Sequence, residues 1–260
     1  MTERKRTAVA RFFPETAAGG FSRIDGTVAF YSRINALVSP SSVVVDLGAG
    51  RGQFMEDTVD YRRYMHRMQG RVQRVIGLDV DDAVLQNPTV DESHVISDGG
   101  RLPIADKSVD LVVSDFTFEH VADPAWLAAE LSRIVKPGGW ICARTPNKYG
   151  YISVFARLVP NSMHDAVLRT VQPQKKSRDT FPTRYRLNTR RDLRRHFPEH
   201  RFEHIVFEHD AEPAYMANST LGWRVGLVLT RILPRRFYTM LFVFLRKKGS
   251  MTEVGGGGVV

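Results

Sequence analysis

Residues 43–52 read Val-Val-Val-Asp-Leu-Gly-Ala-Gly-Arg-Gly. Three consecutive β-branched residues suit a strand buried on both faces of a parallel sheet. The glycines at 48, 50 and 52 let the backbone turn sharply after that strand and approach a ligand closely. In an open α/β sheet such a ligand lies at the carboxyl end of the strand.

The spacing of the glycines discriminates between ligands. A dinucleotide fingerprint is G-x-G-x-x-G and seats a pyrophosphate on a helix N-terminus. Here the pattern is G-x-G-x-G, led by Asp46. A carboxylate at that point repels a pyrophosphate and attracts the ammonium of an amino-acid-like ligand. A nicotinamide-binding domain and a tight structural turn are the competing readings of this stretch taken alone.

At 260 residues and 43% hydrophobic, the chain is long enough for one well-packed α/β domain with decorations. The single cysteine, Cys142, excludes an internal disulfide framework and a multi-cysteine zinc site. Arg4, Lys5 and Arg6 open the chain, but Arg11, Pro14 and Glu15 interrupt any signal-like apolar stretch. No apolar run approaches the roughly 18 residues that span a bilayer. The expectation is a soluble cytoplasmic protein. Net charge is +9, and the excess is local: between Arg169 and Arg195 ten Lys or Arg face two acids, Asp179 and Asp192. Anionic small molecules, nucleic acid or acidic lipid surfaces are the partners such a balance invites.

Local signals order the remainder. Residues 1–24 are polar and Ala/Gly-rich and read as a mobile arm. Asp25 caps a helix with a stripe of Val28, Tyr31, Ile34, Leu37 and Val38, ended by Ser39-Pro40. Phe54, Thr58, Tyr61, Met65 and Met68 recur at helical spacing after the glycine loop, as a crossover helix requires. Strands follow at 72–80, ending near Asp79, at 93–97, ending on Asp98-Gly99-Gly100, and at 109–114, followed by Asp115-Phe116. Asp123 caps a helix to Val135 with Leu127, Leu131, Ile134 and Val135 inward, Lys136-Pro137-Gly138-Gly139 stops it, and residues 140–145 form a fifth strand. Thr189–Phe197 reads as a helix, Phe202–Phe207 as a sixth strand and Phe237–Arg246 as the last. Membrane anchoring is the rival reading of that final apolar segment. Residues 249–260 are a low-complexity, disordered tail.

Four ordered motifs then carry a resemblance. The glycine strand, Leu102-Pro103-Ile104-Ala105-Asp106 with Val109–Val113, Glu119-His120-Val121, and Val135-Lys136-Pro137-Gly138-Gly139 together resemble the class I S-adenosylmethionine-dependent methyltransferases. The likeness covers about residues 40–147 and is to the small-molecule branch, which includes quinone-biosynthesis and polysaccharide-pathway enzymes. It implies a Rossmann-like, seven-stranded, mostly parallel sheet with an antiparallel last strand, helices on both faces and a helical insertion after strand five. One domain over 25–248 is expected, with 148–187 as an acceptor lid.

The resemblance also assigns roles. Asp46 with Gly48, Ala49 and Gly50 would hold the methionine part of S-adenosylmethionine. Asp79, beside Val80, would accept both ribose hydroxyls, Asp98 the adenine amino group with Gly99 leaving room for the ring, and Ser114 and Phe116 would line the cofactor's other side. A sugar or alkyl hydroxyl acceptor has to lose a proton, and His120 and His164 are the candidate bases; hydrogen-bonded or surface histidines are the plain alternatives. No metal is expected, because Phe116, three residues before Glu119, cannot be a ligand. Arg184, Tyr185 and Arg186 are the expected contacts to an anionic acceptor, although the basic run also reads as a solvated face. The function expected is O-methylation of an anionic sugar, glycan precursor or lipid-like acceptor. An RNA methyltransferase is disfavoured by the lack of an Asn/Asp-Pro-Pro-Tyr motif after strand four, a non-catalytic binding module by the intact acids. Peripheral membrane contact is compatible with this reading; a transmembrane segment is not.

Overall fold

The computed structural model describes residues 8–97, 99–158, 182–213 and 219–249. Its strands are β1 (Val43–Leu47), β2 (Arg74–Asp79), β3 (Glu92–Val95), β4 (Val109–Asp115), β5 (Val135–Pro146), β6 (Phe202–His209) and β7 (Met240–Lys247). They form one sheet in the order β3-β2-β1-β4-β5-β7-β6. Strands β1 to β5 pair in parallel, and β7 runs antiparallel between β5 and β6. The described helices are α1 (Ala8–Phe12), α2 (Gly26–Leu37), α3 (Asp60–His66), α4 (Pro124–Ile134), α5 (Tyr151–Leu158), α6 (Arg190–His196) and α7 (Thr220–Ile232). This is the Rossmann-like sheet with an antiparallel last strand that the sequence predicts.

Alternation along the strands builds two cores. Val43, Val45 and Leu47 of β1 and Leu241, Val243 and Leu245 of β7 enter one, against Leu127, Leu131 and Ile134 of α4 and Leu193 of α6. Val44, Phe242 and Phe244 enter the other, against Phe30, Tyr31 and Ile34 of α2 and Met65 of α3. Phe30 meets Tyr31 and Phe242 edge-on at 5.3 and 5.4 Å. Such pairs add about 1 kcal/mol each beyond the area they bury. The Asp25 carboxylate caps α2 at Thr27 N and Val28 N, 2.9 Å each, and accepts from Arg62 of α3, which ties the two helices together.

Three sequence expectations change in three dimensions. The single crossover helix over 54–68 is instead a 3₁₀ turn (Gln53–Glu56) followed by the short α3. Gly52 is left-handed at φ +75°, and Asp57 accepts from Val59 N and grips Arg62, so the chain bends where a helix would continue. Tyr61 is consequently exposed, while Met65 and Met68 remain in the core. The 29-residue separation of Gly50 and Asp79 is filled by turns and short helices, not by a long one. Lys136–Gly139 does not separate helix from strand: β5 starts at Val135 and absorbs these residues as an irregularity against β4, with Gly138 at φ +81°. Finally, the arm expected through residue 24 is held from residue 8 onward, since Phe12 stacks on Trp223 at 5.7 Å and Phe13 is buried. Residues 1–7 and 250–260 lie outside the described residues.

One element has no counterpart in the sequence reading. Helix α7 links β6 to β7, and Met240 of β7 pairs with both His209 and Pro146. Both ends of the excursion containing α7 therefore lie at the same end of the sheet as the carboxyl ends of the parallel strands.

Candidate functional site

Strand order reverses at β1, whose neighbours are β2 and β4. The crevice outside the carboxyl ends at such a switch point is where open α/β sheets bind ligands. The glycine loop lies there. Gly48 and Gly50 take φ of +83° and +46°, conformations that favour glycine. Gly48 N and Ala49 N donate to Leu78 O, and Gly50 N donates to Asp79 Oδ2 at 2.8 Å. A Cβ at Gly48 would sit 2.0 Å from Thr117 Oγ1, so the β4 side of the crevice closes directly on the loop. A Cβ at Gly50 would meet only Asp79 Oδ2, at 4.0 Å. Asn87 fixes the loop from below, donating from Nδ2 to Ala49 O and Gly50 O and accepting at Oδ1 from Thr89. Nothing near Asn87 in the sequence signals this role.

Beneath the loop is a polar cluster on the α2 and α3 side of the sheet. The Arg144 guanidinium clasps Asp115 with two 2.6 Å bonds and also donates to Thr27 Oγ1. Both members are largely buried, at 8% and 14% side-chain exposure. Tyr31 Oη lies 3.3 Å from Asp115 Oδ2 and 2.6 Å from His66 Nε2. Its one proton goes to the carboxylate, which cannot donate, so the network assigns the His66 proton to Nε2. Burial lowers His66 to about 4, and the ring stacks on Phe54 at 3.9 Å. Burial first, then Asp115 and Asp46, push the Tyr31 phenol well above its ordinary range. Asp46 is raised to about 7 by burial, with Asp115 and Asp79 adding to it. The cleft thus presents a carboxyl poised near neutrality beside a carboxylate that is already neutralised by Arg144.

The end of β4 supplies the other wall. Phe116 adopts φ +55°, uncommon for an aromatic residue, and its ring, 38% exposed, lies under the Arg144 guanidinium at 4.8 Å. Backbone of that kind concentrates at functional sites. Glu119 is buried and accepts from Thr145 Oγ1, while its carbonyl takes Arg184 N and Tyr185 N. His120 Nδ1 is 3.2 Å from Pro182 O, and Arg186 donates to Ala122 O. Residues 182–187, far along the chain, are therefore brought to the segment that carries Glu119 and His120.

The predicted cofactor residues fall as follows. Asp46, Gly48, Ala49, Gly50 and Asp79 converge at the switch point, with Val80 exposed beside them. Asp79 already accepts from Gly50 N and Asp81 N, one bond to each oxygen, which leaves each oxygen a free lone pair. Gly99, at φ +82°, has no atom within 4 Å of a built Cβ. Ser114 is fully buried with its hydroxyl unpaired, set behind the wall instead of on it. Asp98 and His164 lie outside the described residues. Part of the basic run is a surface network, with Arg190 bound to Glu208 and Arg194 to Glu199. Among the described residues no cluster of three potential ligands could hold a metal. The open space at Gly50 and the carboxylates at Asp46 and Asp79 fit the amino-acid and ribose parts of S-adenosylmethionine.

Comparison with known proteins agrees. Residues 45–143 match the family model described as a methyltransferase domain. A probable S-adenosylmethionine-dependent methyltransferase of Mycolicibacterium smegmatis is 34% identical over 36% of this chain and 46% of its own. The ubiquinone biosynthesis O-methyltransferase of Nitrosomonas europaea is 28% identical over 47% of this chain and 54% of its own. The chain thus spans about half the length of the curated relatives it matches. Among solved structures, the [4+2]-cyclase SpnF covers 94% of both chains with a TM-score of 0.54 at 13% identity. Geranyl diphosphate methyltransferase covers 85% of this chain and 76% of its own with a TM-score of 0.51 at 16% identity. These likenesses concern the fold alone. The fold, the switch-point glycines and the match over residues 45–143 together make this region similar to S-adenosylmethionine-dependent methyltransferase domains.

Proposed function

We propose that this protein transfers the methyl group of S-adenosylmethionine to the hydroxyl of a small anionic acceptor, a sugar, glycan precursor or lipid-like molecule. The observation that supports the acceptor side is the return of residues 182–187 to the segment after β4, where Arg184 N donates to Glu119 O, Arg186 donates to Ala122 O and both arginines are exposed. The names of two relatives, a ubiquinone biosynthesis and a malonyl-[acyl-carrier protein] O-methyltransferase, support oxygen as the methylated atom.

When bound, the cofactor supplies a methyl group already activated on a sulfonium sulfur. The chain's own residues then orient the acceptor, exclude water and take up one proton. His120 suits the last task. With Nδ1 donating to Pro182 O, the neutral ring keeps its lone pair on Nε2, which stands 3.9 Å from Glu119 Oε1. Nε2 would take the proton that the acceptor hydroxyl gives up on methylation, and the resulting imidazolium would face the Glu119 carboxylate. His164 is the second candidate base, and Asp98 the candidate partner of the adenine amino group.

Two results are expected. Replacing Arg184 and Arg186 together with alanine raises the acceptor KM about tenfold or more, as loss of charge-assisted contacts should, and leaves cofactor affinity unchanged; an unaltered KM removes the acceptor role. Asp46 gives a pH signature. In the free protein it holds its proton below about 7, and pairing with the cofactor's ammonium requires the carboxylate. Binding at pH 6 therefore releases a proton, and affinity rises from pH 6 to 7.5. Calorimetry of S-adenosylmethionine binding in buffers of different ionisation enthalpy reads this directly, and Asp46→Asn abolishes the proton release. The reading as a whole is tested by tritiated methyl transfer from S-adenosylmethionine to extracted lipids, glycans and RNA. Label in the lipid or glycan fraction supports it, and label confined to RNA overturns it.

A further inference from the structure

Helix α7 is apolar on two opposite sides. Trp223 and Gly226 face the body of the protein, Trp223 stacked on Phe12 and Gly226 close against Pro213. Leu221, Val225, Val228 and Ile232 are four, three and four residues apart and so share the other face. They are 72%, 46%, 53% and 68% exposed. Burial explains the inner face, and nothing among the described residues explains the outer one. A contiguous exposed apolar stripe of this kind marks an interaction surface.

Charge identifies the partner. Arg224 and Arg231 are exposed along the flank of the stripe, and Arg235 and Arg236 are exposed just past its end. From Ser219 to Thr239 the chain carries four basic residues (Arg224, Arg231, Arg235, Arg236) and no acidic one. An exposed apolar face bordered by arginines, with no acids, is the composition of a helix that lies in the plane of an anionic bilayer. A protein partner would have to bury the same leucine and isoleucine while supplying several carboxylates in register; anionic headgroups supply that charge without register. Among the described residues no helix is long and apolar enough to cross a membrane, so the contact is peripheral.

We infer that α7 docks the protein on the surface of an anionic lipid bilayer, with Leu221, Val225, Val228 and Ile232 entering the interface and the arginines meeting the headgroups. Because the excursion bearing α7 leaves and rejoins the sheet at the end that carries the switch-point crevice, docking sets that end of the sheet toward the bilayer. The inference stands on α7 alone and does not require the proposed reaction.

The test is flotation of the full chain with vesicles of phosphatidylcholine, with and without about one-third phosphatidylglycerol. Binding is expected to the phosphatidylglycerol vesicles only, and to fall as salt rises from 50 to 500 mM, both as order-of-magnitude conditions. Arg224→Glu with Arg231→Glu should weaken partitioning roughly 25-fold or more, about fivefold per lost arginine. Leu221→Asp with Ile232→Asp should abolish it. Both pairs are exposed, so S-adenosylmethionine binding measured on the same samples should be unchanged. Equal binding to both vesicle types, no binding of the wild type, or wild-type binding by either double variant overturns the inference. So does a wild-type dimer that the Leu221 and Ile232 changes convert to a monomer while vesicles are ignored, since the face then joins two copies of the chain.

Discussion

Replacing Arg144 with alanine should lower the free energy of unfolding by about 3–5 kcal/mol, the range for removing one member of a buried ion pair. The guanidinium contributes two short bonds to Asp115 and one bond to Thr27 Oγ1, and faces over Phe30 and Phe116. Its loss leaves Asp115 among Tyr31 and Asp46 with no countercharge, and a group so placed either takes up a proton or opens the structure. Urea unfolding at pH 7 measures the loss. The double change Arg144→Met with Asp115→Leu should restore much of it, because an apolar pair of similar size carries no desolvation penalty. If the single variant loses under 1 kcal/mol, the pair is not the centre of the cluster.

A second large effect is expected at Gly48. Alanine there places Cβ 2.0 Å from Thr117 Oγ1 and 2.9 Å from Thr117 Cβ, on a backbone at φ +83°. The left-handed conformation alone costs a residue with a side chain about 1–2 kcal/mol, and overpacking of this kind about 1–3 more. The loop has to move, and with it Gly50 N leaves Asp79. Gly48→Ala should therefore bind S-adenosylmethionine at least 100-fold more weakly in calorimetry, beyond its modest fall in Tm. Thr117→Gly in the same chain removes the clashing atoms and should recover binding in part. Recovery distinguishes a steric cause from general unfolding, and a Gly48→Ala protein of full affinity would place the cofactor elsewhere.

Much of the site was legible because its signals are local. The glycines, the acid after each strand and the Asp25 and Asp123 caps concern residues within a few positions of one another, and the backbone acts on them at that range. The seven-stranded, mostly parallel sheet with its antiparallel last strand followed from the resemblance once the motifs stood in sequence, and its strand order came only from the structure. The crossover helix failed for a local reason that periodicity does not see: Asp57 bonds its own chain at Val59 and interrupts a pattern that reads as continuous. Helix α7 did carry a signal, the helical spacing of Leu221, Val225, Val228 and Ile232, but which of its faces packs inward depends on Trp223 and Gly226 meeting the body of the protein. The Tyr31, His66, Asp115 and Arg144 cluster gave a faint sign, a charge at the end of each of two apolar strands, but its members are separated by up to 113 positions and meet only when α2, α3, β4 and β5 pack.

The sequence by itself determined the parallel sheet, the turn at Gly48–Gly52 and the acids that stand at the strand ends, since these depend on side-chain size, backbone freedom and spacing along one strand. Only the tertiary structure decided which charges neutralise each other, that Asp46 titrates near neutrality, that residues 182–187 return to His120, and that α7 keeps an apolar face outside. Those properties arise from burial and from distances through space. A buried carboxylate and an exposed one have the same letter, and only packing sets the dielectric and the neighbours that make them differ.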